Sequence, residues 1–332
     1  MTSYPKNSTN NLPLVSLLIL NWNGEDLLEE CIDSLRKTEY CAIEIIIVDN
    51  ASTDKSVEII SQYKDIRLVV NSTNLGYSAG NNVGFQHARG KYVVTLNNDM
   101  IVEPNWLNSP IKFLEKNPGI GVISCRQMNY YCREKIDGLY HTIKADLSLM
   151  PYGFKTTFNS NMTLTSKPGY VISANGGSAI IRKSLIDQLG GFDPDFFAYM
   201  EETDFCLRAF LHGWKCLYDP EAVVYHREGY SFKKINALRY YYRERNRIWL
   251  LYKNYPTQLL LKRSLFILLM ELRVIRVFLL KLGKPGLYLK ARIDAFRGLK
   301  RYKEIRNENV SLFKIHKKEF LNFQQRKKIE IS

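Results

Sequence analysis

The sequence predicts an α/β protein: a Rossmann-like, mostly parallel sheet flanked by helices, followed by a C-terminal helical appendage. Three observations lead there. Short apolar runs alternate with amphipathic stretches from Leu14 onward, Asn and Asp close several of the runs, and the last hundred residues change composition abruptly. Alternation of this kind is the pattern of βαβ units. The 332 residues allow one large core or two, and 45% hydrophobic with 24% charged residues belongs to a folded chain.

In chain order, strands are expected at Leu14–Leu20, Ile43–Val48, Ile66–Val70, Tyr92–Leu96 and near Ile120–Ser124. Between the first two, Leu27, Leu28, Cys31, Ile32 and Leu35 share one face of a helix over Glu25–Lys37. Residues 126–169 lose periodicity and become rich in Tyr, Thr, Ser and Asn, which reads as an acceptor-facing loop or a surface insertion. Regular structure returns at Gly176–Ile181, a helix near Lys183, a helix over Glu201–His212, and two strands at Lys215–Tyr218 and Ala222–Tyr225. From Lys233 the pattern is helical to the end. The expected division is a disordered 1–12, a catalytic body over 13–230 split near residue 100 into nucleotide-binding and acceptor halves, and a basic helical region over 231–332.

Charge separates body from appendage. Residues 1–230 carry 21 Lys and Arg against 26 Asp and Glu, a net −5, whereas 231–332 carry 26 against 7, a net +19. A basic appendage on an acidic body points to a polyanionic partner, anionic lipid before nucleic acid. Within it, Leu259–Leu282 is the most apolar stretch, but Lys262, Arg263, Glu271, Arg273, Arg276 and Lys281 interrupt it too often for a spanning helix. An interfacial helix on an anionic membrane surface is one reading; a hairpin packed on the body is the other. The six cysteines show no zinc-site spacing, and the N-terminal stretch has no apolar signal region, so reduced thiols in a cytoplasmic protein are expected.

Five stations carry possible chemistry, and open parallel sheets bind nucleotides where their strands end. Asp49 and Asn50 close the second strand and suit a base or ribose, unless Asp49 or Ser52 serves only to cap the next helix. Asn74–Asn82 is a glycine-containing loop running into a helix, in which Gly76 and Asn81 stand where an anion would approach. Asn97, Asn98 and Asp99 end a strand as a single-acid metal station or as a plain turn. Glu201, Glu202 and Asp204 open a helix, where one acid could accept a hydroxyl proton and another serve the helix dipole. His226 stands at a strand end beside a glycine-containing loop, as a metal ligand or an ordinary surface histidine.

In this order the segments VSLLILNWNG, IEIIIVDNASTD, NLGYSAGNNVGF, GKYVVTLNND, GGSAIIRK, LGGFDPDFFAYMEETDFCLR and YHREGYS resemble the family 2 glycosyltransferases of GT-A fold. The likeness runs over roughly Val15–Lys253 and is strongest to rhamnosyltransferase-like and galactofuranosyltransferase-like members. It implies transfer of a sugar from a nucleotide diphosphate donor, dTDP-rhamnose before UDP-sugars, to a lipid-linked or polysaccharide glycan, with inversion. Asn21, Asp49, Asn50, Gly76, Asn81, Asn98 and Gly177 would line the donor site. Asp99, His226 and Asn97 would hold Mg2+ or Mn2+, Asn97 replacing the first acid of the family's D-x-D. Glu202 matches the proposed base of the family's acidic motif, while Asp204 and Arg208 look structural. Arg245, in the tract after the histidine, would touch a donor or acceptor phosphate. The resemblance also implies a site at the inner face of the cytoplasmic membrane, and the basic tail has few of the Gly-rich or stacking motifs of RNA modules, so no nucleic-acid partner is expected. A non-catalytic scaffold that kept the fold is the alternative, prompted by Asn97 and Glu202.

Overall fold

The computed structural model describes residues 12–144, 146–151, 166–227, 236–325 and 329–330. The expected disorder over 1–12 therefore falls almost wholly outside the described residues, as does most of the YHREGYS segment after Arg227.

Along the chain the strands are β1 (Val15–Asn21), β2 (Ile43–Asp49), β3 (Ile66–Val70), β4 (Tyr92–Asn97), β5 (Met100–Val102), β6 (Ile120–Asn129), β7 (Ile136–Gly138), β8 (Tyr140–Ile143), β9 (Leu149–Pro151), β10 (Gly169–Val171), β11 (Ser173–Ala174), β12 (Ser178–Arg182), β13 (Lys215–His226) and β14 (Ile329–Glu330). The main sheet runs β14-β10-β13-β6-β12-β4-β1-β2-β3, with β5 on β13 and β7 on β6. The β3-β2-β1-β4 half is parallel, and β6 and β13 pair in parallel. β12 lies antiparallel between β4 and β6, so the sheet is mixed but mostly parallel.

The helices are α1 (Glu25–Arg36), α2 (Ser56–Ser61), α3 (Gly76–His87), α4 (Asn108–Lys116), α5 (Lys183–Leu189), α6 (Glu201–Leu211), α7 (Asn236–Asn254), α8 (Thr257–Lys262), α9 (Ser264–Arg276), α10 (Pro285–Gly298) and α11 (Lys303–Gln325). Strand alternation sends side chains to opposite faces. Val15, Leu17 and Ile19 of β1 join Leu28, Ile32 and Leu35 of α1 in one core, whereas Leu18 joins Phe85 of α3 and Phe205 of α6 in the other. Helix α3 lies close on β1 because Gly84 has no side chain: a Cβ there would stand 2.2 Å from Leu18 Cδ1.

Two expectations need correction. The pair of strands at 215–218 and 222–225 is one strand, β13, whose register against β6 shifts between Asp219 and Val223, where Pro220 interrupts the ladder. The stretch 126–169 is not irregular throughout. It extends β6 to Asn129, adds β7, and builds a small sheet ordered β11-β8-β9. The strands β7 and β8 are only three or four residues long, too short for the sequence to display a period, yet Ile136, Leu139 and Tyr140 are fully in the core.

Part of the basic appendage is built into the body. Leu250 and Leu251 of α7, Tyr255 just beyond it and Phe313, Phe320 and Phe323 of α11 share a core with Leu207, Phe210 and Leu211 of α6. Below it lies an ionic joint. Asp204, wholly buried, accepts from Arg208 Nε (2.8 Å), Lys253 Nζ (2.9 Å) and Asn254 Nδ2 (2.9 Å), and Lys253 also reaches Asp193 (2.6 Å). Asp204 and Arg208 thus sit inside a packing network. Burial works against the carboxylate, but Lys253 and Arg208 outweigh it and hold Asp204 down at about 2. A carboxyl depressed by folding stabilises above its unfolded pKa, near 3.9, and that stabilisation is lost as pH falls through the folded value. Acid titration of the melting curve therefore shows a loss centred between about pH 4 and 2 that Asp204→Asn lacks. The same substitution costs about 3 kcal/mol at neutral pH, read by urea unfolding, because Arg208 loses its carboxylate partner and Lys253 keeps only Asp193.

Candidate active site

The strand ends converge. β1, β2 and β4 finish side by side, with Asn21 opposite Asp49 and Leu20 opposite Asn97. Asn21 links them: its Nδ2 donates to Asp49 Oδ1 (2.8 Å) and its Oδ1 accepts from Asn98 Nδ2 (2.8 Å). Asp49 also accepts from Ser52 N (2.9 Å) and Ser52 Oγ (2.6 Å), and it is fully buried. Asp54 accepts from Ser56 N at the start of α2 (3.0 Å), and Asp49 is engaged with Ser52 and Asn21. The Asp49 side chain holds the turn whose Ala51 has φ 61°. Asn50 is likewise a clamp, donating to Asn74 Oδ1 and the Gly76 carbonyl and accepting from Asn71 Nδ2 and Leu75 N.

That clamp sets the entrance to α3. Gly76 has φ +78°, and a Cβ on it would lie 2.5 Å from the Phe197 carbonyl oxygen, so only glycine lets the 197 loop approach. Ser78 N donates to that carbonyl (3.1 Å). One turn on, Asn81 donates to the Tyr77 carbonyl, and its Oδ1 is buried without a hydrogen-bond partner, as is Ser78 Oγ. Such orphaned acceptors beside a helix N-terminus are unusual and mark a place where a ligand supplies the partner.

At the β4 end the chain turns through Asn98 and Asp99 into β5. Because β5 pairs with the last residues of β13, Asp99 is brought to His226. Asp99 Oδ2 is 3.3 Å from His226 Nε2, Asp99 Oδ1 is buried and unpartnered, and His226 Nδ1 is bonded to Asp137 of β7. Burial disfavours the imidazolium, but the bonds to Asp137 and Asp99 win and His226 is pushed up to about 10. Without an ion, the proton on His226 balances the two carboxylates; a divalent ion at Asp99 would take the place of the Nε2 proton. An orphaned carboxylate oxygen and an oriented imidazole suit a divalent ion that takes its remaining oxygens from phosphate. Among the described residues no group of three or more His, Cys, Asp or Glu side chains is arranged to hold a metal. The amide of Asn97 lies beside Gly177, which has φ +89°.

The acidic helix supplies the third part. Glu201 is buried, with Oε2 unpartnered, and burial followed by the neighbouring charge of Glu202 drives its carboxyl well above the usual range. Burial and that neighbouring charge both favour the neutral form of Glu201. Glu202 is half-buried and lies over Gly176, its Oε1 2.9 Å from where a Cβ would stand. Gln127 fixes that strip of backbone by donating to the Gly176 carbonyl and Ser178 Oγ. His141, also near Glu202, is held neutral by burial against the pull of that charge, with Nδ1 on the Ala174 carbonyl at 2.7 Å.

Sequence reasoning missed Asp137, His141 and Gln127. All three lie in the stretch that showed no period, and no spacing signal pointed to any of them. Arg245 is not placed at a phosphate position. Its Nη2 donates to the carbonyls of Asp195 (2.8 Å) and Phe196 (2.9 Å), and its guanidinium stacks on Trp249.

A model of the family described as Glycosyl transferase family 2 matches residues 16–190, more than half of the chain. The chain is 34% identical over 114 residues to an uncharacterized glycosyltransferase of Haemophilus influenzae, covering 33% of this chain and 35% of that protein. It is 29% identical over 205 residues to a low-salt glycan biosynthesis hexosyltransferase of Haloferax volcanii, covering 59% and 61%. An O-antigen biosynthesis protein of Myxococcus xanthus matches at 26% over 69% of this chain but 18% of its own length. The chain thus spans less than two thirds of each of these relatives. Among solved structures it resembles a mannosyltransferase of Pyrobaculum calidifontis in complex with GDP-Man and Mn2+, with TM-score 0.56, 17% identity and 95% and 87% coverage. GalNAc-T7 with UDP, GalNAc and Mn2+ gives TM-score 0.63, 16% identity and 89% and 57% coverage. Likeness at this identity shows the fold, the GT-A arrangement that the sequence motifs resemble.

Proposed function

We propose that this chain, which belongs to Glycosyl transferase family 2, moves a hexose from a nucleotide diphosphate donor to a glycan acceptor. The observation that carries the reading is the meeting of Asp99, just past the end of β4, with His226 at the end of β13, where one Asp99 oxygen is buried and orphaned. Solved structures of this fold hold GDP-Man or UDP with Mn2+. The donor's base and ribose would lie along Asn21, Asp49 and Asn50, and its phosphates between α3 and Asp99. Bound there, Mg2+ or Mn2+ would neutralise charge on the leaving diphosphate. Asp99 and His226 hold that position, and Asp137 fixes the tautomer and direction of His226.

Glu202 is the proton acceptor. Of the two adjacent acids Glu201 is buried, which favours its neutral form, whereas Glu202 is partly exposed and stands over the Gly176 backbone. As the acceptor oxygen bonds to the anomeric carbon and the bond to diphosphate breaks, the hydroxyl proton passes to Glu202, and attack from the opposite side inverts the centre. dTDP-rhamnose is the first donor and UDP-hexoses come after it.

The acceptor we propose is lipid-linked, at the inner face of the cytoplasmic membrane. No helix among the described residues is long and apolar enough to cross a membrane. Helices α8 to α10 instead present Leu265, Leu269, Leu272, Leu280 and Phe296 to solvent, each more than half exposed, among exposed Lys262, Arg273, Arg276 and Lys281. Leucine beside Lys and Arg suits an anionic bilayer surface. Helices α7 and α11 pack on the body, while the apolar stretch over 259–282 leaves most of its leucines exposed, which supports the interfacial reading of that stretch.

Glu202→Gln lowers transfer from a panel of dTDP-rhamnose, UDP-glucose and UDP-galactofuranose about 10²–10⁴-fold with donor affinity kept; a near wild-type rate would reject the assignment. Calorimetry with Mn2+ and the nucleoside diphosphates finds affinity weakened about tenfold or more in Asp137→Asn and further in Asp99→Ala, whereas unchanged affinity in both would exclude the metal position. The triple change Leu269→Glu, Leu272→Glu and Leu280→Glu leaves the melting temperature near wild type, since these side chains are exposed. It cuts co-sedimentation with vesicles containing about one third phosphatidylglycerol by about tenfold at low salt, and equal pelleting would remove the membrane reading.

A further inference from the structure

The segment before the acidic helix is strained and held from outside. Phe197, Tyr199 and Met200 take φ of 62°, 71° and 73°, a left-handed region that side chains other than glycine rarely adopt. Three such residues within four positions do not persist unless neighbours fix them. The neighbour is Asn246, fully buried on α7. Its Nδ2 donates to the carbonyls of Phe196 (2.9 Å), Ala198 (2.9 Å) and Tyr199 (2.8 Å), and its Oδ1 accepts from Arg245 Nε (2.9 Å). The two N–H groups of one amide are thus shared among three of the four carbonyls from Phe196 to Tyr199, while that of Phe197 accepts from Ser78 N.

Both ends of this segment lead to the site. Met200 stands immediately before Glu201 and Glu202 and takes the left-handed position from which α6 starts. The Phe197 carbonyl accepts from Ser78 N at the start of α3 and its ring abuts Gly76. The position of α6 relative to α3 is therefore set by one loop, and three of that loop's carbonyls converge on Asn246.

We propose that Asn246 is a positioning residue for the transfer reaction: by gathering three carbonyls it fixes the left-handed turn that aims Glu202 and sets its distance from the donor at α3. The inference rests on Glu202 being the proton acceptor. Asn246 touches neither donor nor acceptor, so its loss changes turnover and leaves donor binding in place.

The test compares Asn246→Ala and Asn246→Ser, the latter keeping one donor, with Glu202→Gln in parallel. Total nucleoside diphosphate released from the panel of dTDP-rhamnose, UDP-glucose and UDP-galactofuranose with Mn2+ is read against pH, per folded enzyme. The expected result is a kcat lowered about tenfold or more in Asn246→Ala and less in Asn246→Ser, a donor KM changed less than about threefold, and a displaced acid limb of the kcat profile. If Asn246→Ala does not fold, Asn246→Ser decides alone. Folded variants with wild-type kcat and an unmoved acid limb, or a loss that vanishes once the folded fraction is counted, overturn the proposal. A Glu202→Gln enzyme that still turns over defeats the base assignment instead, so the two failures are told apart.

Discussion

The buried carboxylate of Asp204 is the interaction on which the relation between body and appendage depends. It lies two residues beyond Glu202 on the same helix, wholly out of solvent, and it is satisfied only because Arg208 comes from its own helix and Lys253 and Asn254 from the end of α7. A buried ion of this kind is weak evidence for net stability but strong evidence for a specified geometry, since any other packing leaves a charge unpaired. The apolar contacts of Phe210, Leu250 and Phe320 around it add area without direction. Direction comes from the ionic joint, and it passes along α7 to Arg245 and Asn246, and from them to the loop before the acidic helix.

The parallel half of the sheet was legible in the sequence because its strands are buried on both faces and read as continuous apolar runs, as in VSLLILN and IEIIIVD. The site residues at the ends of those runs could be read for the same reason: the polar residue that closes an apolar strand has to stand at the rim. What sequence could not show is which of them already have partners. Asp49 and Asn50 read as ligand groups, and the structure finds both engaged in holding turns. Whether a carboxylate is free depends on residues far along the chain, such as Asn21 for Asp49, and no local pattern encodes that.

The short strands β7 and β8 failed for a different reason. Three or four residues do not complete two periods, so Asp137 and His141 lay in a stretch without a signal although each contributes a buried side chain to the site. Arg245 misled in the opposite way. An arginine in a basic tract after the histidine looked available for phosphate, yet aromatic stacking and backbone carbonyls occupy it.

Glu271 interrupts the most apolar stretch of the chain, and its surroundings show why it is there. Arg247 and Arg292 reach it at 2.5 Å, and Tyr288 donates to it at 2.6 Å, so α9 and α10 are fastened to α7 by a half-buried ionic cluster. Helices fastened in this way do not swing. If their leucines rest on a bilayer, the catalytic cleft stands at a constant height above the lipid, and the enzyme acts as a gauge. An acceptor sugar is then selected by how many units separate it from the membrane as well as by its own shape.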